Sequence, residues 1–383
     1  MTQPPRRQIR ETPSISHPSP AESAEKNCAD QRASSECLGD LAPHRAGPAV
    51  PGTIRPDAPI TLGGLTIVPL HSNRLIKKKH SVKMGVRQLD KATVEIRELD
   101  GQGSVPKLHA ENHTKHYVLF IEGDQLIGAK QNRVCNSTVL LYPKSAAHIP
   151  VSCVEEGRWR HISRTFGSSK YHASPSLRRK LAKTKETSRR KSGGQHQHSA
   201  DQGLVWEHVN SFSLQAGVQS QTKAMQEVYE AHELELQEQL RGNGELAANR
   251  TDSKDLFTDC PNEIHGWILQ TPDRGISIDI FGSPKLCRLA WRRIIGSAAM
   301  EAMIYQRDSG KTTSGKSSSV SSHPKVDLHK PKAVKKLLKA VQNAPFEKVT
   351  PVAAGYEQRI VNSELTGSYL TLENRLVHLG LTV

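Results

Sequence analysis

Aromatic residues supply only 4% of the 383 residues and apolar residues 36%, both low for a chain of this length packed throughout. Part of the chain is therefore expected to lie outside any core. No run of about 18 apolar residues occurs, so no helix is expected to span a membrane. Arg6, Arg7 and Arg10 are not followed by an apolar stretch, so a secretory signal of the usual kind is not expected. None of the six cysteines (Cys28, Cys37, Cys135, Cys153, Cys260, Cys287) forms a C-x-x-C pair, so zinc-ribbon and thioredoxin-like chemistry has no basis. Their wide spacing fits reduced thiols in a cytoplasmic protein. G-x-G-x-x-G, G-x-S-x-G and H-E-x-x-H are all missing, and with them the dinucleotide loop, the nucleophile elbow and the zinc helix.

Acidic residues are also in deficit, leaving a formal charge of +15. The excess is localised. Lys170 to Lys191 carries a net +8 and Lys311 to Lys348 a net +7, which together account for the whole imbalance. Both neighbourhoods contain Ser, Gly and Lys in abundance, and basic low-complexity insertions are expected at about 170–200 and 309–348, solvated rather than packed. Non-specific nucleic-acid binding, one alternative function, would run through these segments and not through the core. Residues 1–58 are rich in Pro, Ser and Ala without hydrophobic period, and are expected to form a disordered tail ahead of a single domain over 59–383.

Within that domain, short β-rich runs separated by tight turns predict strands at Ile60 to Leu62, Leu65 to Leu70, Thr93 to Leu99, Lys115 to Ile121, Gln125 to Ala129, Ser137 to Tyr142 and His148 to Glu155. Helices are predicted over Gln202 to Ala216 and Thr222 to Leu240, the latter lined with glutamates. A hairpin follows across Thr271-Pro272-Asp273-Arg274-Gly275, then a helix with Ser283 as N-cap and Pro284 at its first position. Tyr356 to Val383 returns to strands. The expected class is α+β: an antiparallel sandwich- or barrel-like β core, from strands before Arg160 and after Tyr356, carrying a helical insertion and a β-hairpin plus helix.

Polar groups concentrate between Glu122 and Trp159. Gln131, Asn132 and Arg133 interrupt what reads as one long strand, predicting a bulge or sharp bend. Arg133 and Arg158 suit bidentate clamping of a carboxylate or phosphate, and Trp159 offers a flat face for a base or sugar. Glu122 and Glu155 are candidates for an acid–base pair, the second alternative, a hydrolase. Cys153 is a third catalytic candidate, although it shares a strand face with Val151 and Glu155 like a small core residue. The competing reading pairs these glutamates with these arginines to close a sheet end, with Trp159 plugging the core. His109, His113 and His116 read as solvated turn residues, and His196 and His198 as part of the low-complexity segment; no metal is expected.

The run Glu122-Gly123-Asp124-Gln125-Leu126-Ile127-Gly128-Ala129-Lys130-Gln131-Asn132-Arg133, with Ile149-Pro150-Val151-Ser152-Cys153-Val154-Glu155-Glu156-Gly157-Arg158-Trp159, resembles the ARG and rhodanese-phosphatase-superfamily-associated protein domain. Gln202 to Glu207, Gly266-Trp267, Asp279 to Pro284 and Val377-His378-Leu379 fit the same family. The resemblance implies association with ADP-ribosylglycohydrolases and rhodanese-like phosphatases, a statement about neighbours rather than a reaction. Its motif positions here are Glu122, Gly123, Gln131, Asn132, Arg133, Cys153, Glu155, Arg158 and Trp159. The expectation is a cytoplasmic accessory or ligand-binding domain that recognises a nucleotide or ADP-ribose-like molecule through Gln131, Asn132, Arg133, Arg158 and Trp159. An ADP-ribosylglycohydrolase-type partner is implied, and no cofactor is expected.

Overall fold

A computed structural model describes residues 54–72, 80–99, 106–242, 263–311, 326–362 and 364–383. The chain opens with β1 (Ile54–Pro56), β2 (Ile60–Leu62), β3 (Leu65–Ser72), β4 (Val82–Met84), the short helix α1 (Gly85–Leu89) and β5 (Val94–Glu98). A run of strands follows: β6 (Lys107–Asn112), β7 (Tyr117–Phe120), β8 (Asp124–Gly128), β9 (Arg133–Cys135), β10 (Val139–Leu141), β11 (Ser145–Cys153) and β12 (Phe166–His172). Helices α2 (Pro175–Lys191), α3 (Gln202–Ala216), α4 (Met225–Ala231) and α5 (Glu233–Gly242) come next. The rest comprises β13 (Ile264–Gln270), β14 (Ile276–Phe281), α6 (Pro284–Lys311), α7 (Pro331–Asn343), β15 (Phe346–Val349), β16 (Tyr356–Val361), β17 (Thr366–Leu372) and β18 (Arg375–Thr382).

The fold is α+β and its sheets are antiparallel apart from the β4–β7 pair. The largest sheet runs β1-β3-β13-β14-β18-β17-β16-β15, with β2 paired to β3. Alternation along β14 decides its two faces. Ile276, Ile278 and Ile280 point to a core that α7 closes with Val334, Leu337 and Val341, whereas Phe281 joins the core under α6 with Trp267 and Trp291. The sheets β12-β8-β9-β11-β6-β5 and β10-β7-β4 enclose a third core that includes Ile96, Leu108, Phe120, Leu126 and Ile149.

The first strands, the hairpin at Thr271 to Gly275 and helix α3 lie where periodicity places them. Ser283 caps α6 as expected, its Oγ accepting from Leu286 N at 3.3 Å. The hairpin β13–β14 is not an appendage, however. It sits in the middle of the largest sheet, joining β3 to β18, because its two apolar faces both require cover. Strands β16 to β18 therefore extend this sheet rather than the one built from β5 to β12.

Gln131 to Arg133 does not bend a single strand either. Gly128 (φ 125°) and Ala129 (φ 44°) reverse the chain into a β8–β9 hairpin. The predicted helix over Thr222 to Leu240 is two, α4 and α5, separated at His232 (φ −112°). Of the expected N-terminal tail, residues 1–53 lie outside the described residues, and Ile54–Pro56 already pair with β3.

The basic segments require the largest correction. Lys170 to Lys191 is not a solvated insertion: its first residues lie in β12, and most of the rest is α2, with Leu177, Arg178, Arg179, Leu181, Ala182 and Lys185 buried. Composition hid this because the acids that neutralise α2 lie far away in sequence: Asp279 on Arg178, Asp273 on Arg179 and Glu122 on Lys185. In the second segment, residues 312–325 lie outside the described residues, while Pro331–Asn343 is helical with a buried apolar face.

Candidate functional site

Two closed fasteners account for most of the stretch that the sequence singles out. Arg158 meets Glu155 through Nε to Oε1 at 2.8 Å and Nη2 to Oε2 at 2.7 Å, and its Nη1 donates to Ala129 O at 2.7 Å. Glu155 also accepts from Asn132 N at 3.0 Å, while Asn132 Oδ1 takes the Gly128 N–H at 3.0 Å. The cluster therefore locks the β8–β9 turn to the end of β11. Arg133 is fully buried; it donates to Glu98 Oε1 at 3.2 Å and to Cys153 Sγ. Burial pushes the Cys153 thiol up to about 11, against the pull of Arg133, so no thiolate is available. Gln131 Nε2 donates to Glu156 O at 3.3 Å. Trp159 plugs nothing: it is 57% exposed. The expected ligand-clamping arginines are thus engaged with this chain's own acids. Glu122 and Glu155 are not brought together as a pair, the first bonding Lys185 and the second Arg158.

A different constellation forms where α2 crosses β17 and β18. Ser174 caps α2 by accepting from Leu177 N at 3.3 Å, with Pro175 at the first position. Arg178, Ala182 and Lys185 then recur on one face, four and three residues apart, and line or border a recess. Its wall comprises Glu122, Thr138, Arg178 and Ala182 against Thr366, Gly367, Ser368, Gly380, Leu381 and Thr382. Arg178 clamps Asp279 with Nη1 to Oδ2 at 2.8 Å and Nη2 to Oδ1 at 2.7 Å. Burial alone would raise the Asp279 carboxyl, but the Arg178 charge and the bonds from His378 and Arg178 hold it far below the usual carboxylate range. Burial pulls Lys185 down, only partly offset by Glu122.

Behind the recess a bonded line runs from Asp279 to Thr138. His378 Nε2 lies 3.1 Å from Asp279 Oδ1, and His378 Nδ1 lies 3.4 Å from Thr138 Oγ1, which also accepts from Glu122 N at 3.2 Å. An ionised carboxylate only accepts, so Nε2 carries a proton toward Asp279, while Nδ1 faces the threonine hydroxyl. Gly380 makes room for this: a Cβ there would stand 3.0 Å from His378 Cε1 and 3.4 Å from Arg178 Nη2. Nearby, His198 bonds Ser137 Oγ and Arg359 Nη2, each at 3.0 Å, and burial with the Arg359 charge pushes it down to about 3. The remaining histidine candidates stay apart. His109 packs on His148 across the β6–β11 pair, and among the described residues no group of three or more His, Cys, Asp or Glu is placed to hold a metal ion.

Residues 53–382 match the family described as the ARG and Rhodanese-Phosphatase-superfamily-associated Protein domain. The chain belongs to this family. No curated protein and no solved structure matches it. The family description places its members in association with the ARG and rhodanese-phosphatase groups and names no reaction.

Family resemblance in the sequence extends to Asp279 to Pro284 and Val377-His378-Leu379, and these motifs carry Asp279 and His378. The signal was there. Asp279 is an acid inside the apolar run Ile278-Asp279-Ile280, and His378 lies between Val377 and Leu379; a charged residue at a buried strand position needs a partner. Arg178 and Lys185 were hidden by the reading of their segment as solvated. Thr138 and Ser368 carry no mark in sequence, because an isolated hydroxyl in a strand is an ordinary surface feature.

Proposed function

We propose that this family domain is a small-molecule-binding accessory domain whose site is the recess between α2 and the β17–β18 pair. The ligand is of the nucleotide or ADP-ribose kind, with one sugar hydroxyl reaching into the recess. The observation that carries this reading is Arg178. It is buried on the recess wall, two of its nitrogens are spent on Asp279, and its Nε–H has no partner among the described residues. An unsatisfied buried donor costs on the order of 1–3 kcal/mol, which a hydroxyl of a bound sugar would offset. Glu122, Ser368, Thr366 and Thr382 add acceptors and donors of the kind sugar hydroxyls use. Buried ion pairs contribute little net stability, so two of them bordering one recess favour a functional purpose.

The hydrolase built on Glu122 and Glu155 draws no support from this arrangement, since the two carboxylates serve different networks. Nucleic-acid binding through the basic segments loses the buried α2 cations, although Lys332, Lys335, Lys336 and Lys339 remain exposed on α7.

Titration calorimetry with ADP-ribose, NAD and free ribose 5-phosphate tests the site. Saturable binding that Ser368→Gln abolishes, with far-ultraviolet dichroism unchanged, is the expected result. Binding untouched by that substitution, or no binding of any of the three, would overturn the proposal.

A further inference from the structure

We propose that Thr138, His378 and Asp279 form a nucleophile–base–carboxylate relay that hydrolyses a short-chain acyl ester of a hydroxyl-bearing ligand held in the recess; this rests on the recess being the ligand site proposed above. Three distant segments supply the parts: the approach to β10, strand β18 and strand β14. Their separations, 240 residues for Thr138–His378 and 99 for His378–Asp279, make the alignment a property of the fold rather than of local sequence.

Each part has the geometry its role requires. Thr138 lines the recess, so its hydroxyl stands at the boundary between bound ligand and protein interior. His378 Nδ1 faces that hydroxyl, and the Nε2–H is held by Asp279, which fixes the ring plane. Arg178 grips both oxygens of Asp279, so the carboxylate stays ionised and cannot rotate away from the imidazole. The Glu122 N–H points at Thr138 Oγ1 from 3.2 Å, a donor placed to favour developing negative charge on that oxygen. Gly380 is the enabling residue, since any side chain there would press on the His378 ring.

The chemistry follows from these partners. Both cations at the recess, Arg178 and Lys185, are neutralised by Asp279 and Glu122, so a highly charged transferring phosphoryl group finds no net positive field. A neutral acyl carbonyl suits the hydroxyl–imidazole pair, and the small recess restricts the acyl chain. Thr138 Oγ attacks the carbonyl carbon while its proton passes to His378 Nδ1. The tetrahedral adduct expels the alcohol oxygen, which takes that proton, leaving an acyl-threonine. Water then attacks the acyl carbon, giving one proton to His378; collapse restores the Thr138 alkoxide, which recovers that proton, and releases the carboxylic acid. Water is the only co-reactant.

The test uses the full-length chain with p-nitrophenyl acetate as probe, following nitrophenol release and, after an acid quench, the intact mass. Wild type is expected to release nitrophenol above the buffer rate and to carry one acetyl group, mapped by peptide sequencing to residue 138. Thr138→Ala loses the acetyl group and the catalysed rate, with far-ultraviolet dichroism unchanged. Thr138→Ser retains acetylation. His378→Asn lowers the rate by about 10²–10⁴-fold, the usual worth of a general base, and removes the corresponding limb of the pH profile, with dichroism confirming its fold. A chain that binds ADP-ribose but hydrolyses nothing, or a Thr138→Ala protein as fast as wild type, overturns the relay and leaves the binding reading intact. Hydrolysis through Thr138 without any ADP-ribose binding supports the relay and overturns that ligand instead.

Discussion

Arg158 and Glu155, three residues apart, face each other in a bidentate pair with N–O distances of 2.8 and 2.7 Å, both side chains buried. The pair also gathers Asn132 and the carbonyl of Ala129, so it ties a hairpin turn to a strand end. Removing one partner leaves the other charge buried and uncompensated. Arg158→Ala is therefore expected to destabilise the chain by about 3–5 kcal/mol in urea unfolding. Arg158→Lys recovers only part of that, because a point charge cannot reproduce the planar fork. Stability within about 0.5 kcal/mol of wild type, the range of ordinary surface changes, would show that the pair is no fastener.

Gly123 and Gly194 provide a matched comparison, with φ of 96° and 95°. A Cβ on Gly123 would fall 2.3 Å from His172 Cε1, whereas one on Gly194 meets nothing within 4 Å. Gly194→Ala should cost only the left-handed backbone strain, about 1–2 kcal/mol. Gly123→Ala adds overpacking against a buried ring, roughly another 1–3 kcal/mol. Thermal unfolding of the two variants measures the difference, and equal losses would contradict it.

Acid sensitivity follows from two neutral histidines, His208 buried and His198 half-buried. Burial, helped by neighbouring cations, pushes His198 and His208 down to about 3. In the unfolded chain both protonate near their ordinary value of about 6.5. Below that pH the unfolded state binds more protons, so stability falls as pH drops from 6.5 toward 3, by about 1.4 kcal/mol per pH unit for each histidine. Asp279, with its carboxyl held low, adds a loss that begins near its unfolded value and continues downward. His208→Gln should flatten the upper part of this profile by one proton's worth. A slope that His208→Gln leaves unchanged would assign the acid loss elsewhere.

Cys135 and Cys153 are both fully buried, and burial raises both thiols, Cys153 to about 11 and Cys135 well above its ordinary value. Iodoacetamide at pH 8 is expected to leave both unmodified in the native chain and to label both in urea. Native labelling of Cys153 at the rate of a free thiol would restore its candidacy as a nucleophile.

Much of the architecture was legible beforehand, because alternation and turn residues act locally. Ile276-Ser277-Ile278-Asp279-Ile280 reads as a buried strand on its own, and Ser283-Pro284 announces a helix start. What composition could not reveal was partnership over distance. A helix carrying Arg178, Arg179 and Lys185 looks solvated until Asp279, Asp273 and Glu122 are brought to it. The same blindness made Arg133 and Arg158 look available, because Glu98 lies in another strand and Glu155 reads as a reactant rather than as a brace.

The hairpin β13–β14 joins β3 to β18, and β18 leaves the ribosome after every other described element. During synthesis the exposed edge of β14 must therefore wait unpaired, with Asp279 lacking its imidazole and the recess lacking half its wall. Such an edge invites pairing with another nascent chain. The recess is accordingly among the last features of the molecule to come into being, and translation released short of Arg375 would yield a chain that holds Arg178 against Asp279 yet has nothing for Thr138 to face.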